Sequence, residues 1–271
     1  MLGVLKVGFM LDSVVVIARD VARFQLKHFR NVGMDHINMK AAKETVSFVD
    51  VESEKLLMEN LKNLVPEAGF YGEESGKSGD QEYLWVVDPL DGTTNFLNGL
   101  EHFSISIALV EAGKVQLGLV FKPYTGEWIG AERNKGVLFN GKKIGNKQIK
   151  ISAEEALFVT GFPYRSKDLN DPFFICADRV LKLGRGIRRS GSAALDLAYL
   201  GVGWFGGFWE SDLQPYDAAA GVLIMELGGI EVTNHRGQAY DLFKDRMMVA
   251  AQPGVHSALL REVQNAYNAY L

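Results

Sequence analysis

Trp85-Val86-Val87-Asp88-Pro89-Leu90-Asp91-Gly92-Thr93-Thr94-Asn95-Phe96 is the stretch that decides the reading. The apolar run Tyr83 to Val87 has the character of a short buried strand, and it ends abruptly in a carboxylate. Pro89 stiffens the following turn and removes a donor, so the strand ladder is expected to stop there. Asp91 comes three residues after Asp88, close enough for a loop to aim both carboxylates into one small volume. Gly92 lets backbone approach a ligand closely, and Thr93-Thr94 have the chemistry of a cap for a helix turn. Asp-Pro-x-Asp-Gly alone would pass for a surface turn, but a plain turn needs neither the buried strand before it nor the Gly-Thr-Thr after it. Two anionic ligands beside free backbone N–H groups would hold divalent cations and a phosphate side by side.

The rest of the chain is that of an ordinary globular protein. Its 271 residues, 47% hydrophobic and 23% charged, allow a large core in one domain or two closely packed ones. A net charge of −4 argues against a nucleic-acid partner. The lone Cys176 excludes an intramolecular disulfide and fits a reducing cytoplasm, where the protein is expected; between Ile175 and Ala177 it reads as a small core residue. Lys6, Asp12 and Arg19 interrupt the apolar N-terminus well short of the ~20 residues a membrane span needs, so neither anchor nor signal peptide is expected. Leu11 to Phe29 reads instead as an amphipathic helix, apolar at Val14, Ala18, Val21 and Ala22.

Asp50 stands where an N-cap belongs, ahead of a helical stretch to Leu64 with Ser53 and Glu54 in its first turn. From Phe103 to Phe139 the pattern is strands and turns, with hairpins at Glu111–Lys114 and Asn140-Gly141. That is a meander rather than a βαβ run, so an α+β fold with a largely antiparallel sheet flanked by helices is expected. A boundary near Lys150 to Glu155 divides the chain into an N-terminal half, 1–153, carrying the metal and phosphate site, and a C-terminal half, 154–271, carrying substrate contacts, tightly packed as one unit. In that second half a strand over Ala156–Phe162 and a helix over Phe173–Lys182 lead to Gly191-Ser192. This is a strand-to-helix junction whose N–H groups and hydroxyl should face outward. Arg188 and Arg189 before it could steer a phosphate or simply form a solvated edge. Asp217 reads as the N-cap of an apolar helix stopped by Gly228-Gly229, and Trp204, Phe205, Phe208 and Trp209 read as core.

Asp88-Pro-Leu-Asp-Gly-Thr-Thr-Asn-Phe96 resembles the first signature of the inositol monophosphatase family, magnesium-dependent and lithium-sensitive phosphatases. Two further motifs match in order. Gly72-Glu73-Glu74-Ser75 is similar to the family's G-E-E-S, and Tyr216-Asp217-Ala-Ala-Ala-Gly221 to its W-D-x-A-A-G, with Tyr for Trp. A looser match, K-x-x-x-D-x-V-T-x-x-D, falls on Lys40 to Asp50, with Glu44 and Ser47 in place of Asp and Thr. The resemblance implies a five-layer αβαβα sandwich of the fructose-bisphosphatase type and a homodimer. It implies metal ligation by Glu73 and Asp217, a water-positioning role for Asp50, contacts from Gly191, Ser192 and Ala193 to the substrate alcohol, and hydroxyl binding by Glu210.

Glu73, Asp88, Asp91 and Asp217 in one pocket would be untenable without cations, and two or three Mg²⁺ ions are the expected occupants. Asp88 would bridge two of them, Asp91 and Asp217 would complete the second, and Glu73 with the Leu90 carbonyl would complete the first. Glu73 and Thr93 would orient a metal-activated water for in-line attack, and the Gly92 and Thr93 N–H groups would grip the phosphate. The expected activity is hydrolysis of inositol monophosphate or a related small polyol or sugar phosphate. Fructose 1,6-bisphosphate, histidinol phosphate or a 3′-phosphonucleotide is the alternative within the superfamily, and a regulatory protein-binding role on the same scaffold is the alternative outside it.

Overall fold

The computed structural model describes residues 10–31, 37–39, 45–145 and 151–271; Lys40 and Glu44 of the looser motif lie outside them. The N-terminal half runs α1 (Met10–His28), β1 (Ile37–Met39), β2 (Thr45–Ser47), α2 (Phe48–Leu64), β3 (Gly69–Gly72), β4 (Gly76–Ser78), β5 (Tyr83–Asp91), α3 (Thr93–Leu97), β6 (Ser104–Glu111), β7 (Lys114–Lys122), β8 (Glu127–Glu132), β9 (Gly136–Phe139) and β10 (Lys142–Lys143). The rest runs β11 (Leu157–Thr160), α4 (Asn170–Leu183), β12 (Gly186–Arg188), α5 (Ala193–Gly201), β13 (Gly207–Ser211), α6 (Pro215–Gly228), β14 (Glu231–Asn234), β15 (Met247–Ala251) and α7 (Pro253–Tyr267).

Two large sheets organise these elements. The first has eight strands in the order β10-β9-β8-β7-β6-β5-β3-β4, antiparallel except where β3 runs parallel to β5. The second has five, β12-β11-β13-β15-β14, and is mixed, since β11 is parallel to both its neighbours. The expected hairpins form: Ala112-Gly113 and Asn140-Gly141 both take positive φ at both positions, the handedness that suits a tight two-residue turn between twisted strands.

Side-chain alternation along the strands builds five layers. Trp85 and Val87 of β5, with Ile105, Ile107 and Phe121, pack on Val14, Ala18 and Val21 of α1 and Leu57 and Leu61 of α2. The opposite positions, Leu84, Val86, Ala108 and Val120, pack on Ala194 and Ala198 of α5 and Ala219, Ala220 and Leu223 of α6. The far sides of α5 and α6 meet Val159, Phe208, Met248 and Ala250 of the second sheet. The outer face of that sheet is closed by α4 and α7, where Cys176 is fully buried beside Phe158, Trp209 and Leu259. The order is therefore helices, sheet, helices, sheet, helices. Small residues make the middle layer fit: a Cβ at Gly118 of β7 would stand 2.8 Å from the Ala220 carbonyl oxygen of α6.

Two expectations are corrected here. The β5 ladder does not stop at Pro89; it slips register in a bulge between Asp88 and Asp91 and resumes with Asp91 opposite Ser104. The missing donor of Pro89 falls inside the bulge, and its carbonyl accepts a 2.7 Å hydrogen bond from Gln25 Nε2 of α1. Trp204 is not core. It is 54% exposed and lies face to face with Tyr199, ring centres 4.7 Å apart.

Candidate active site

The bulge in β5 turns Asp88, Leu90 and Asp91 toward one end of the first sheet, where the N-termini of α3, α5 and α6 converge. Asp88 is 2% exposed and accepts a 2.9 Å hydrogen bond from the Leu90 N–H. Gly92, not Thr93, is the cap of α3: it takes φ +92°, and a Cβ there would stand 3.0 Å from the Gly191 carbonyl and 3.1 Å from that of His102. Conformation and crowding both demand glycine at this position. Thr93 is thereby free for another contact. Its hydroxyl lies 2.8 Å from Asp50 Oδ1 and 3.0 Å from the Leu90 carbonyl, while the first-turn N–H groups of α3 have no intrahelical acceptor.

Asp50 is not the N-cap of α2 either. Ser47 is the cap, Asp50 is the third helical residue of a capping box, and Ser53 and Glu54 fall one turn later. Asp50 accepts from the Ser47 N–H at 2.9 Å and the Ser47 hydroxyl at 2.6 Å. Burial raises its carboxyl above the usual range, against the lowering effect of the bonds from Ser47 and Thr93. The same offset applies to Asp217 in α6, where Gln214 is the cap and donates its N–H to Asp217 Oδ2 at 2.7 Å.

Glu73 sits in the β3–β4 turn, its N–H bonded to the Val87 carbonyl of β5 at 3.3 Å. Glu54, which the sequence reading took only as a first-turn helix residue, shapes that turn. Its carboxylate is 4% exposed and accepts from the Glu74 N–H and the Ser75 N–H, both at 2.8 Å. A signal was present, since Asp50 and Glu54 occupy the helix face that Leu57 and Leu61 bury.

The Gly191-Ser192 junction does not face outward. Ser192 is 1% exposed and donates its hydroxyl to Asp91 Oδ2, the Ala193 N–H reaches Asp91 Oδ1 at 3.2 Å, and the Ala194 N–H reaches Oδ2 at 2.9 Å. The N-terminus of α5 is thus spent on holding Asp91. Ser104 of β6 stands 3.1 Å from Ser192 and 3.3 Å from Asp91, tying the first sheet into the same cluster.

These groups line a cavity of about 580 Å³. Of the residues singled out from sequence, Glu73, Asp88, Leu90, Asp91, Gly92, Thr93, Gly191, Ser192, Ala193, Glu210 and Asp217 all lie on its wall, while Asp50 stands behind Thr93. The carboxylates feel one another. Asp88 is pushed well above the ordinary range by burial and then by the charges of Glu73, Asp91 and Asp217. Burial also raises Asp91, to about 6, with the Ser192 hydroxyl opposing the shift and the Asp217 charge adding to it. Glu210 is raised by burial and by Asp196, with Arg189 opposing. Arg165, Arg189 and Asp196 also line the cavity; Arg165 Nη1 reaches Asp217 Oδ2 at 3.1 Å. Arg165 and Asp196 had no local signal, because only the tertiary fold brings them to the wall.

Among the described residues no three acidic, histidine or cysteine groups form a ready-made metal cage. An open set of one or two carboxylates per ion, with a carbonyl nearby, is how magnesium is held, since it keeps several waters and shares a phosphate. The all-oxygen donors of Glu73, Asp88, Asp91, Asp217 and the Leu90 carbonyl fit that chemistry, and their mutual repulsion is what a cation would relieve.

The model of the inositol monophosphatase family matches residues 11–268. The inositol-1-monophosphatase of Caulobacter vibrioides is 32% identical over 92% of this chain and 98% of its own length. The Nus factor SuhB of Vibrio cholerae is 33% identical over 96% and 97%. The solved IMPase of Thermotoga maritima superimposes with a TM-score of 0.86 at 31% identity, covering 96% of this chain and 98% of that one.

Proposed function

The chain belongs to the inositol monophosphatase family, and from that premise we propose that it is a Mg²⁺-dependent phosphomonoesterase acting on inositol monophosphate or a related small polyol or sugar phosphate. The observation that carries this reading is the convergence of Glu73, Asp88, Asp91 and Asp217 on the Gly92–Thr93 end of α3 within one cavity. Those four carboxylates and the Leu90 carbonyl would hold two or three ions. When bound, the ions supply charge neutralisation, polarisation of the phosphate and acidification of water.

The chain's own groups do the rest. The Gly92 and Thr93 N–H groups receive phosphate oxygens at the start of α3. Thr93, which lines the cavity and donates its hydroxyl to Asp50, would accept a proton from the attacking water, with Asp50 the ultimate acceptor in that relay. Glu73 orients the same water from the opposite turn. Neither Cys176, buried behind the second sheet, nor Ser192, committed to Asp91, is placed as a nucleophile, so water attacks phosphorus directly. Glu210, half-buried beside Gly161, accepts hydrogen bonds from the substrate hydroxyls, and Gly191 to Ala193 bound the alcohol side. A homodimer is part of this reading and is tested by sedimentation of the purified chain.

Phosphate release from inositol 1-phosphate, histidinol phosphate and adenosine 3′,5′-bisphosphate, each with Mg²⁺ and with EDTA, tests the substrate. Turnover of inositol 1-phosphate above the others supports the proposal; a preference for another substrate would keep the site and replace the substrate. The relatives that carry the name Nus factor SuhB favour a second reading, a partner-binding role on the same scaffold. Partner capture that survives Asp91→Asn while turnover is lost would support both roles.

A further inference from the structure

Among the described residues, Gln25 is the one buried polar side chain of α1, on the face that carries Leu11, Val14, Ala18, Val21 and Ala22. It is 0% exposed, and an amide in such a place costs stability unless its groups are bonded. Nε2 donates to the Pro89 carbonyl at 2.7 Å and to Ser53 Oγ of α2 at 3.2 Å. Oε1 is buried with no hydrogen-bond partner among the described residues. The amide cannot be turned round, because the Pro89 carbonyl only accepts and must face the NH₂ end. As a link between two helices the arrangement is poor: one end stays unpaired where an apolar side chain would pack without that cost.

What Gln25 grips is the bulge in β5. Pro89 has no ladder partner, since the register with β6 passes from Asp88 to Asp91 and β3 ends with Gly72 opposite Val87. Gln25 gives its carbonyl the donor that neither strand offers. The other end of the same peptide unit, the Leu90 N–H, donates to Asp88 Oδ1 at 2.9 Å. A trans peptide is planar and its C=O and N–H point in opposite directions, so bonds at both ends stop the plane from rotating. A donor on the carbonyl also strengthens the N–H at the far end. The next carbonyl along the chain is that of Leu90, on the cavity wall with Asp88.

We propose that Gln25 is a positioning residue for the cation site. Through the Pro89–Leu90 peptide it sets the direction of the Asp88 carboxylate and of the Leu90 carbonyl, while its own side chain stays in the core between α1 and α2. This rests on the phosphatase reading, in which those two groups hold Mg²⁺. A peptide without its outer bond can rotate, and the rotation carries both cation donors off their aim. Outer partners of metal ligands change metal affinity by about 10–100-fold.

The test compares wild type, Gln25→Met and Ser53→Ala in two Mg²⁺ titrations, one followed by Tm and one by phosphate release from inositol 1-phosphate. Methionine keeps the length and unbranched shape of glutamine but has no donor. Ser53→Ala removes the other partner of the same amide and leaves the bond to Pro89. Gln25→Met should raise the Mg²⁺ concentration for the half-maximal rise in Tm about tenfold or more. The midpoint for phosphate release should move with it, and KM at saturating Mg²⁺ should change little. Ser53→Ala should lower Tm without moving either midpoint. An unmoved Tm midpoint in Gln25→Met, an equal shift in Ser53→Ala, or a wild-type Tm indifferent to Mg²⁺ overturns the proposal. If Gln25→Met does not fold, Gln25→Ala, which leaves room for water at the Pro89 carbonyl, is measured in its place, with the same expected direction and the same overturning results. Absence of phosphate release from wild type would overturn the phosphatase reading instead, and the Tm titration would still decide the role of Gln25.

Discussion

Glu54→Gln is the perturbation that most directly tests how the fold places Glu73. The wild-type carboxylate gives one oxygen to the Glu74 N–H and the other to the Ser75 N–H, each at 2.8 Å, in a site only 4% exposed. Glutamine keeps the shape but presents one acceptor and one NH₂ group, so one backbone N–H is left facing a donor. A hydrogen bond to a charged group is worth about 1.5–3 kcal/mol, and neutralising a buried carboxylate returns part of its desolvation cost. We predict a net loss of about 1–3 kcal/mol, or roughly 2–4 °C in Tm per kcal/mol for a chain of this size. The repulsion falls on the residues directly after Glu73, so the turn moves and the Mg²⁺ concentration for half-maximal phosphate release should rise, with KM for substrate changing less. Urea denaturation and a Mg²⁺ titration of activity are the assays. Refilling the site is not trivial, because a Cβ at Gly72 would stand 2.2 Å from Glu54 Oε2, so no other side chain can take over the acceptor role from that side. Unchanged stability together with an unchanged Mg²⁺ dependence would refute the reasoning.

Three further outcomes follow from the same geometry. Thr93→Val removes the hydroxyl that bridges Asp50 and the Leu90 carbonyl, and steady-state kinetics should show kcat reduced by about 10²-fold or more while Thr93→Ser retains most of it. Gly92→Ala forces a side chain into left-handed backbone between two carbonyls; a penalty of about 1–2 kcal/mol for the conformation alone should appear as a lower Tm, with crowding adding to it. The third concerns pH. Burial raises the Asp196 carboxyl well above its ordinary 3.8, so the folded chain holds that proton longer than the unfolded chain does. Its contribution is fully present below about pH 4 and is lost as pH rises through the raised value, at up to ~1.4 kcal/mol per pH unit while it titrates. In EDTA, stability should therefore fall more steeply with rising pH in wild type than in Asp196→Asn; parallel curves by thermal denaturation would contradict the assignment.

Much of this architecture was legible in the sequence because it is local. The run Tyr83–Val87 sets a buried strand, the Ala112-Gly113 and Asn140-Gly141 hairpins set the meander, and Asp88 to Thr93 brings two carboxylates and a helix start to one cavity wall. The caps were misplaced in a consistent way. At Thr93, Asp50 and Asp217 a polar side chain was taken for the cap when the cap lies one or three residues earlier, at Gly92, Ser47 and Gln214. An aspartate at the third helical position reaches back to the cap N–H, so composition alone does not separate the two placements. Other features depend on residues far apart in the chain. The Ala193 and Ala194 N–H groups bind a carboxylate more than a hundred residues earlier, and nothing near Gly191 announces it. Trp204 is exposed because the segment between α5 and β13 lays it on Tyr199 at the surface, a choice made by the path of the chain rather than by the residue's hydrophobicity.

The most direct test of the central claim is phosphate release from inositol 1-phosphate by wild type and Asp88→Asn, measured across a Mg²⁺ titration and again after EDTA. The account predicts hydrolysis that requires Mg²⁺, stops on chelation, returns on adding the metal back, and is reduced at least about 10³-fold by Asp88→Asn. Hydrolysis indifferent to EDTA, or an Asp88→Asn variant as active as wild type, would contradict it.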